Sequence, residues 1–311
     1  MKNALVAGGA GFLGSHLVGR LLNEEYKVIV IDNLITGFKE NIDEYLLNPN
    51  FTFLQSDVSE YISLENTKID LIFHFASPAS PPKYLNFPIE TIKANVHGTM
   101  NLIEIAKNHK AKMIYASTSE VYGDPQISPQ HESYWGNVNP VGLRSVYDEA
   151  KRLGETLCSQ ANRAGHDICI LRIFNTYGPK MDPYDGRVVS NFLRQAIKGE
   201  SFTVQGDGTQ TRSFCYVDDL IEGIFKFSQS KYSGPLNLGN PQEFSILELA
   251  SLISKKLDTK KDIIFIKGME DDPRQRKPDI SIARKLLDWK PKVDLEEGIL
   301  ITCDWMRHRL N

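Results

Sequence analysis

Short apolar runs alternate with amphipathic helical stretches through the first half of the chain. ALVAG (4–8), KVIVID (27–32), FTFLQ (51–55), DLIFHFA (70–76) and KMIYAS (112–117) read as strands, being short and rich in β-branched and aromatic residues. Between them, LGSHLVGRLLNEE (13–25) and PIETIKANVHGTMNLIEIAKNH (88–109) read as helices. In the second of these, Ile92, Val96, Met100, Ile103 and Ala106 recur at three- and four-residue steps and so share one face. YDEAKRLGETLCSQANRAG (147–165) forms a further helix, with Ala150, Leu153, Leu157 and Ala161 as its buried stripe, and leads into the strand DICILRIF (167–174). Strands alternating with helices predict an α/β fold, a Rossmann-type doubly wound parallel sheet covered on both faces.

Beyond about residue 175 the rhythm loosens, with Gly/Pro turns at YGPKMDPYDG (177–186) and QGDGTQT (205–211). Shorter helices follow at VVSNFLRQAIKG, DDLIEGIFKFS, SILELASLISKKL and LEEGILITCDWMRHR. At 311 residues the chain exceeds a typical single core, which predicts a smaller, interrupted C-terminal α/β substrate domain. The expected division assigns 1–174 with 214–240 to a nucleotide-binding domain, and 175–213 with 241–311 to the second.

Charge narrows the functional classes. Thirty-six basic residues against 39 acidic give a net charge of −3, which argues against a general nucleic-acid surface. Cys158, Cys169, Cys215 and Cys303 are scattered without a C-x-x-C pair, so they read as reduced core residues of a cytoplasmic protein. The seven histidines show no ligand spacing, and no metal site is expected. No apolar run approaches the roughly 18 residues of a membrane span. The first strand begins almost at Met1, leaving no room for a targeting segment.

GGAGFLG (8–14) sets Gly8, Gly11 and Gly14 directly after the first strand and at the start of the first helix. A tight turn and close backbone approach need missing side chains, and the helix N-terminus, at Phe12 and Leu13, offers N–H groups to a pyrophosphate. Asp32 ends the second strand 18 residues after Gly14, where a carboxylate accepts hydrogen bonds from the adenosine ribose and repels a 2′-phosphate. With Asn33, Leu34 and Ile35 following, and no Arg, the cofactor expected is NAD rather than NADP. Thr36 and Gly37 in the next loop, Asp57 with Val58 after the third strand, and Tyr147 with Lys151 on the helix 147–165 are further candidate cofactor contacts.

SVYDEAKR (145–152) places Tyr147 and Lys151 four apart on one helical face. A free Tyr, with a pKa of roughly 10, is no base at neutral pH. A nearby ammonium, helped by a positive nicotinamide ring, would favour the phenolate. In STSEVYG (117–123), Thr118 can hydrogen-bond the same substrate hydroxyl, and Glu120 is a charge with no evident structural use. Arg187, Arg212, Arg274 and Arg276 lie in the looser second half, where planar paired donors suit phosphate or carboxylate. Asn175 follows a strand end and is a further substrate contact.

The glycine turn, the Ser/Thr and the Tyr/Lys pair in this order resemble the extended short-chain dehydrogenase/reductases that act on nucleotide sugars. Longer strings sharpen the likeness: ASPASPPKY (76–84), STSEVYGDP (117–125), WGNVNPVGLRSVYDEAKR (135–152), DGRVVSNF (185–192), GDGTQTRSFCYVDDL (206–220) and DDPRQRKPDI (271–280). Together they resemble the UDP-glucuronic acid decarboxylase family. That resemblance implies UDP-glucuronate as substrate, a retained NAD, and a homodimer formed through helices 88–109 and 147–165. It puts catalytic roles on Thr118, Glu120, Tyr147, Lys151 and Arg276, and adds Tyr84 to Asn175, Arg187, Arg212 and Arg276 as substrate contacts. The implied chemistry is oxidation at carbon 4, loss of carbon dioxide from the 4-keto sugar, and re-reduction with NAD recycled. Glu120 would act either as a charge beside the substrate carboxylate or as the acid that protonates carbon 5; the sequence leaves both open. Arg276 would orient the substrate or a water. Ser119 stands where a 4,6-dehydratase carries Asp, so that reading lacks its acid. A UDP-glucuronate 4-epimerase and a UDP-apiose/UDP-xylose synthase stay open. A sensor that binds NAD without turnover would not need Tyr147, Lys151 and Thr118 intact.

Overall fold

The chain begins β1 (Asn3–Ala7), α1 (Phe12–Asn23), β2 (Lys27–Asp32), β3 (Phe51–Gln55), β4 (Leu71–His74), α2 (Pro81–Asn86), α3 (Pro88–His109), β5 (Lys112–Thr118), α4 (Ser145–Arg163) and β6 (Ile168–Ile173). It continues through β7 (Thr176–Tyr177), α5 (Val188–Lys198), β8 (Phe202–Gln205), β9 (Thr211–Ser213), β10 (Cys215–Tyr216), α6 (Val217–Gln229) and β11 (Leu236–Leu238). The last elements are β12 (Glu243–Ser245), α7 (Ile246–Lys256), β13 (Ile263–Ile266), β14 (Gln275–Arg276), α8 (Ser281–Leu287) and α9 (Leu295–Leu310). The structure, a computed structural model, describes residues 1–62, 64, 67–259 and 261–310. Residue 311, the end of the expected second domain, therefore lies outside the described residues.

Seven parallel strands form one sheet in the order β3-β2-β1-β4-β5-β6-β11. The chain winds outward from β1 to β3, then returns to β4 on the other side of β1. Loops leaving β1 and β4 consequently diverge, and open a crevice at the carboxyl ends of the strands. Alternation along β1 shows why both faces are covered. Ala4 and Val6 join Leu17 and Leu21 of α1 and Leu220 and Ile224 of α6, while Leu5 and Ala7 join Leu102 and Ala106 of α3 and Cys158 of α4. The first of these cores continues without a break into the second half, taking in Phe192 of α5, Leu249 of α7 and Met306 of α9.

One expected face is buried only in part. Ile103 and Ala106 are buried as expected and Val96 is half-buried, but Ile92 and Met100 are exposed, and α3 also buries Thr91, Asn95, Gly98, Thr99 and Leu102. Close approach explains this choice. A Cβ at Gly98 would stand 2.7 Å from Val58, so no side chain fits at that position of the helix. The hydroxyls of Thr91 and Thr99 satisfy themselves on the carbonyls of Phe87 and Asn95 at 2.7 and 2.6 Å. Leu153 of α4, expected in the buried stripe, is also exposed. The outer surface of the α3–α4 pair thereby carries exposed apolar side chains at Ile89, Ile92, Met100 and Leu153.

Asn237 joins three parts of the fold at the edge of the sheet. Its Oδ1 accepts the Tyr122 hydroxyl at 2.8 Å, while Nδ2 donates to the carbonyls of Gln130 at 3.0 Å and Asp279 at 3.2 Å. Its backbone N–H donates to Glu132 at 2.9 Å, and the residue is fully buried. Asn237→Leu would leave several buried polar groups unpaired and should destabilise the protein by about 3 kcal/mol, read as a lower urea midpoint.

Candidate active site

At the crevice, β1 turns into α1 through Gly8, which has φ +82°. A Cβ there would stand 2.6 Å from the Ala76 nitrogen, and one at Gly14 would stand 2.0 Å from the Gly8 carbonyl oxygen. Side chains are thus excluded where the helix opens, and Gly11 caps α1 with no side-chain bond, so the first-turn N–H groups of Phe12 and Leu13 face an anion site. Asp32 accepts the N–H of Ala10 at 3.0 Å and of Leu34 at 2.9 Å. Burial raises its carboxyl above the ordinary range, against the pull of those two donors. A pocket beside it is lined by Gly8, Gly11, Asp32, Asn33, Thr36, Gly37, Asp57 and Val58 among others, with Asn33 donating to Asp57 at 2.8 Å. A helix start free of side chains, next to a pocket that holds the buried Asp32 carboxylate, fits NAD.

A larger cleft continues from there toward the second half of the chain. It is lined by Thr118, Glu120, Tyr147 and Lys151 from the sheet side, and by Asn175, Arg187, Arg212 and Arg276 from the other, with Tyr84 between. Lys151 is buried, donates from Nζ to the Ala116 carbonyl at 2.7 Å, and lies 5.7 Å from the centre of the Tyr147 ring. Tyr147 stacks on Tyr84 with centroids 5.1 Å apart and planes 8° from parallel. Burial takes the Lys151 ammonium down to about 7. Burial also pushes the Tyr147 phenol up, opposed by Arg187 and the Thr118 hydroxyl. The expected lowering of Tyr147 by Lys151 is therefore not a property of the protein alone. Lys151 spends a proton on the backbone, and its own charge is weakened by the same enclosure.

Glu120 sits on a 3-10 turn, Ser119–Tyr122, that the Thr118 hydroxyl caps by accepting the Glu120 N–H at 3.2 Å. Gly123 closes the turn at φ +60°, where a Cβ would meet the Asn137 carbonyl at 1.9 Å. Arg276, almost wholly buried, donates to the carbonyls of Ser119 at 2.8 Å and Gly123 at 3.0 Å, and to Glu120 Oε2 at 3.0 Å. Arg144 binds the same oxygen from the start of α4. It also reaches Asp272 at 3.2 Å, whose other oxygen pairs with Arg212 at 2.7 Å. Burial by itself would raise the Glu120 carboxyl, but Arg276 and then Arg144 outweigh it and hold it well below the usual range.

Every catalytic and substrate candidate is thus brought to one cleft, and the cofactor candidates lie at the start of α1 and in the adjoining pocket, apart from Tyr147 and Lys151, which lie in the cleft. Arg274, grouped with the other arginines, is the exception: its side chain is 89 % exposed and pairs with Asp124 at 3.3 Å. Arg276 meets protein groups first, which makes it an organiser of Glu120. Arg144 and Asp272 escaped notice as individual residues although both lie in the motif strings. The usable signal was position: Arg144 stands three residues before Tyr147, at the cap of the helix that carries it.

The model of the NAD dependent epimerase/dehydratase family matches residues 4–239. UDP-glucuronic acid decarboxylase 3 of Arabidopsis thaliana is 51% identical over 99% of this chain and 90% of its own length. UDP-glucuronic acid decarboxylase 1 of Xenopus tropicalis is 48% identical over 99% of this chain and 73% of its own. Among solved structures, UDP-glucuronic acid 4-epimerase from Bacillus cereus, in complex with UDP-glucuronic acid and NAD, superposes with a TM-score of 0.87 at 31% identity, covering 99% of this chain and 100% of the other. Asp32→Asn should weaken NAD binding about ten- to a hundred-fold, the worth of a hydrogen bond to a charged group, in a calorimetric titration. The chain belongs to the NAD dependent epimerase/dehydratase family, and within it is similar to the UDP-glucuronic acid decarboxylases over nearly its whole length.

Proposed function

We propose that this chain converts UDP-glucuronate to UDP-xylose and carbon dioxide, with NAD recycled in each turnover. The observation that carries this reading is Glu120, fixed by Arg276 and Arg144 at the end of β5 in the cleft that Tyr147 and Thr118 line. The near-full-length similarity to named decarboxylases supports it. When bound, NAD supplies the two-electron oxidation of carbon 4, returns those electrons after carbon dioxide is lost, and adds positive charge that favours a Tyr147 phenolate.

Tyr147 takes the proton of the 4-hydroxyl, and Thr118 holds the same oxygen. Once carbon 4 is a ketone, the carboxylate on carbon 5 is β to a carbonyl and its loss gives an enolate. Tyr147, now protonated, and Thr118 stabilise the charge that gathers on the carbon 4 oxygen. A tight ion pair between an arginine and the departing carboxylate would stabilise the ground state and slow its loss. Arg276 and Arg144 avoid that outcome because both are taken by Glu120. Their hold on Glu120 supports its role as a negative charge that disfavours the substrate carboxylate, in preference to the acid. Arg187 at the cap of α5 and Arg212 on β9, with Asn175 and Tyr84, are the proposed contacts for the sugar diphosphate. Tyr84 apart, this assigns the diphosphate contacts to 175–213 with 241–311, and NAD to 1–174 with 214–240.

The exposed Ile89, Ile92, Met100 and Leu153 on α3 and α4 support a homodimer through these helices. The four cysteines, all buried and unpaired, fit a reducing cytosol. No helix among the described residues is long and apolar enough to cross a membrane.

Tyr147→Phe should release carbon dioxide at least about 10³-fold more slowly while still binding UDP-glucuronate, since it removes the base and keeps the ring. Unchanged release would remove Tyr147 from the chemistry. Glu120→Ala should stall after oxidation, seen as a build-up of reduced-nicotinamide absorbance. Rapid completion to UDP-xylose would take Glu120 out of the mechanism.

A further inference from the structure

The reaction leaves a proton unaccounted for. Replacing the carboxylate of carbon 5 with hydrogen consumes one proton per turnover, and carbon dioxide carries none away. Glu120, held ionised by Arg276 and Arg144, has no proton of its own to give. Tyr147 owes the proton it took to the carbon 4 oxygen when that carbon is reduced again.

A second carboxyl lies next to this machinery. Asp148 follows Tyr147 in the first turns of α4, is 5 % exposed, and has a buried Oδ1 with no hydrogen-bond partner. Its N–H donates to the Arg144 carbonyl at 3.1 Å, which sets it one helical turn beyond the residue that grips Glu120. Two more buried polar atoms stand without partners where α2 meets the start of α4, Arg144 Nε and the hydroxyl of Tyr84, the ring stacked on Tyr147. An ionised carboxylate enclosed without donors is costly, whereas a carboxylic acid is not. Three unpartnered polar atoms also offer a bridging water the contacts it needs.

We propose that Asp148 is the proton store for carbon 5, passing its proton to the enolate through a bridging water at the cleft wall that Tyr84 and Arg144 line. This rests on the decarboxylase reading. In the transfer the Asp148 O–H bond breaks as the water takes the proton, and another O–H bond of that water breaks as the enolate electron pair forms the carbon 5–hydrogen bond. Asp148, left as a carboxylate, regains a proton from solvent before the next turnover, so no oxidant or further reactant is needed. Glu120 stays a carboxylate throughout. The surroundings agree with an acid kept neutral. Burial, then Glu120 on the turn after β5, push the Asp148 carboxyl up to about 8, with Glu149 of α4 adding to the rise and Arg144 and Arg276 opposing it. Tyr84 on α2 and Tyr147 on α4 also face it.

The test uses the full chain with UDP-glucuronate and NAD. Asp148→Asn should form reduced nicotinamide at the wild-type rate while UDP-xylose formation slows about 10²-fold. Asp148→Glu should recover most of that loss. In the wild type, UDP-xylose formation should fall as pH rises through about 8, and nicotinamide reduction should not fall with it. A purely structural role would slow both steps alike and leave the alkaline limb in place. An Asp148→Asn enzyme with wild-type UDP-xylose formation and pH profile would overturn the proposal. Should that variant fail to fold, a wild-type profile that stays flat through the same pH range would overturn it equally. A wild-type chain that makes no UDP-xylose at all would instead overturn the decarboxylase reading, and the proton store with it.

Discussion

The grip of Arg276 and Arg144 on one oxygen of Glu120 is the constraint around which the cleft is arranged. Both arginines bind the carboxylate, and together they outweigh the burial that would otherwise raise it. The two cations arrive from opposite directions, one from β14 in the late part of the chain and one from the cap of α4. A single buried ion cluster therefore fixes the end of β5, the start of the helix bearing Tyr147 and Lys151, and the loop before β14. Removing one partner would leave an uncompensated buried charge, which costs far more than the cluster gains as a whole.

Other contacts extend the same closure. Asp272 links Arg144 to Arg212 on β9, so the charge chain alternates Arg276, Glu120, Arg144, Asp272, Arg212 across the cleft. Asn139 meets Asp271 at 3.2 Å, and the Lys277 N–H donates to the Gln130 side chain at 2.8 Å. The segment between β5 and α4 is thus sewn to the segment between β13 and α8. This wall is built from two loops, and its geometry depends on charge pairing and backbone hydrogen bonds more than on apolar packing.

Much of this was legible in the residues. The strand and helix runs of the first half follow from period, because parallel strands covered on both faces leave a strong apolar signal. The glycine turn, Asp32 and the Tyr147/Lys151 pair could be placed because each needs a fixed local spacing. What the sequence hid are properties of contact. The outward face of α3 could not be told from its inward face by periodicity, since Gly98 lets small and hydroxylated residues pack inside while Ile92 and Met100 face out. Arg144 and Asp272 meet across 128 residues of chain, and no local pattern announces such a pair. Arg274 and Arg276 stand two positions apart, one just before β14 and one in it, yet one is solvated and the other almost wholly buried, a difference decided by the partners that the fold brings. The upward push on Tyr147 likewise follows from enclosure, which the Y-x-x-x-K spacing does not report.

The proposed chemistry has Arg276 and Arg144 stay with Glu120 while a carboxylate leaves beside a ketone. The most direct measurement of that claim follows UDP-glucuronate labelled with carbon-13 at carbon 6, with NAD present. The account predicts that the label leaves entirely as carbon dioxide and that the sugar recovered is an unlabelled pentose still joined to UDP. A product in which the label stays on a six-carbon sugar would contradict it.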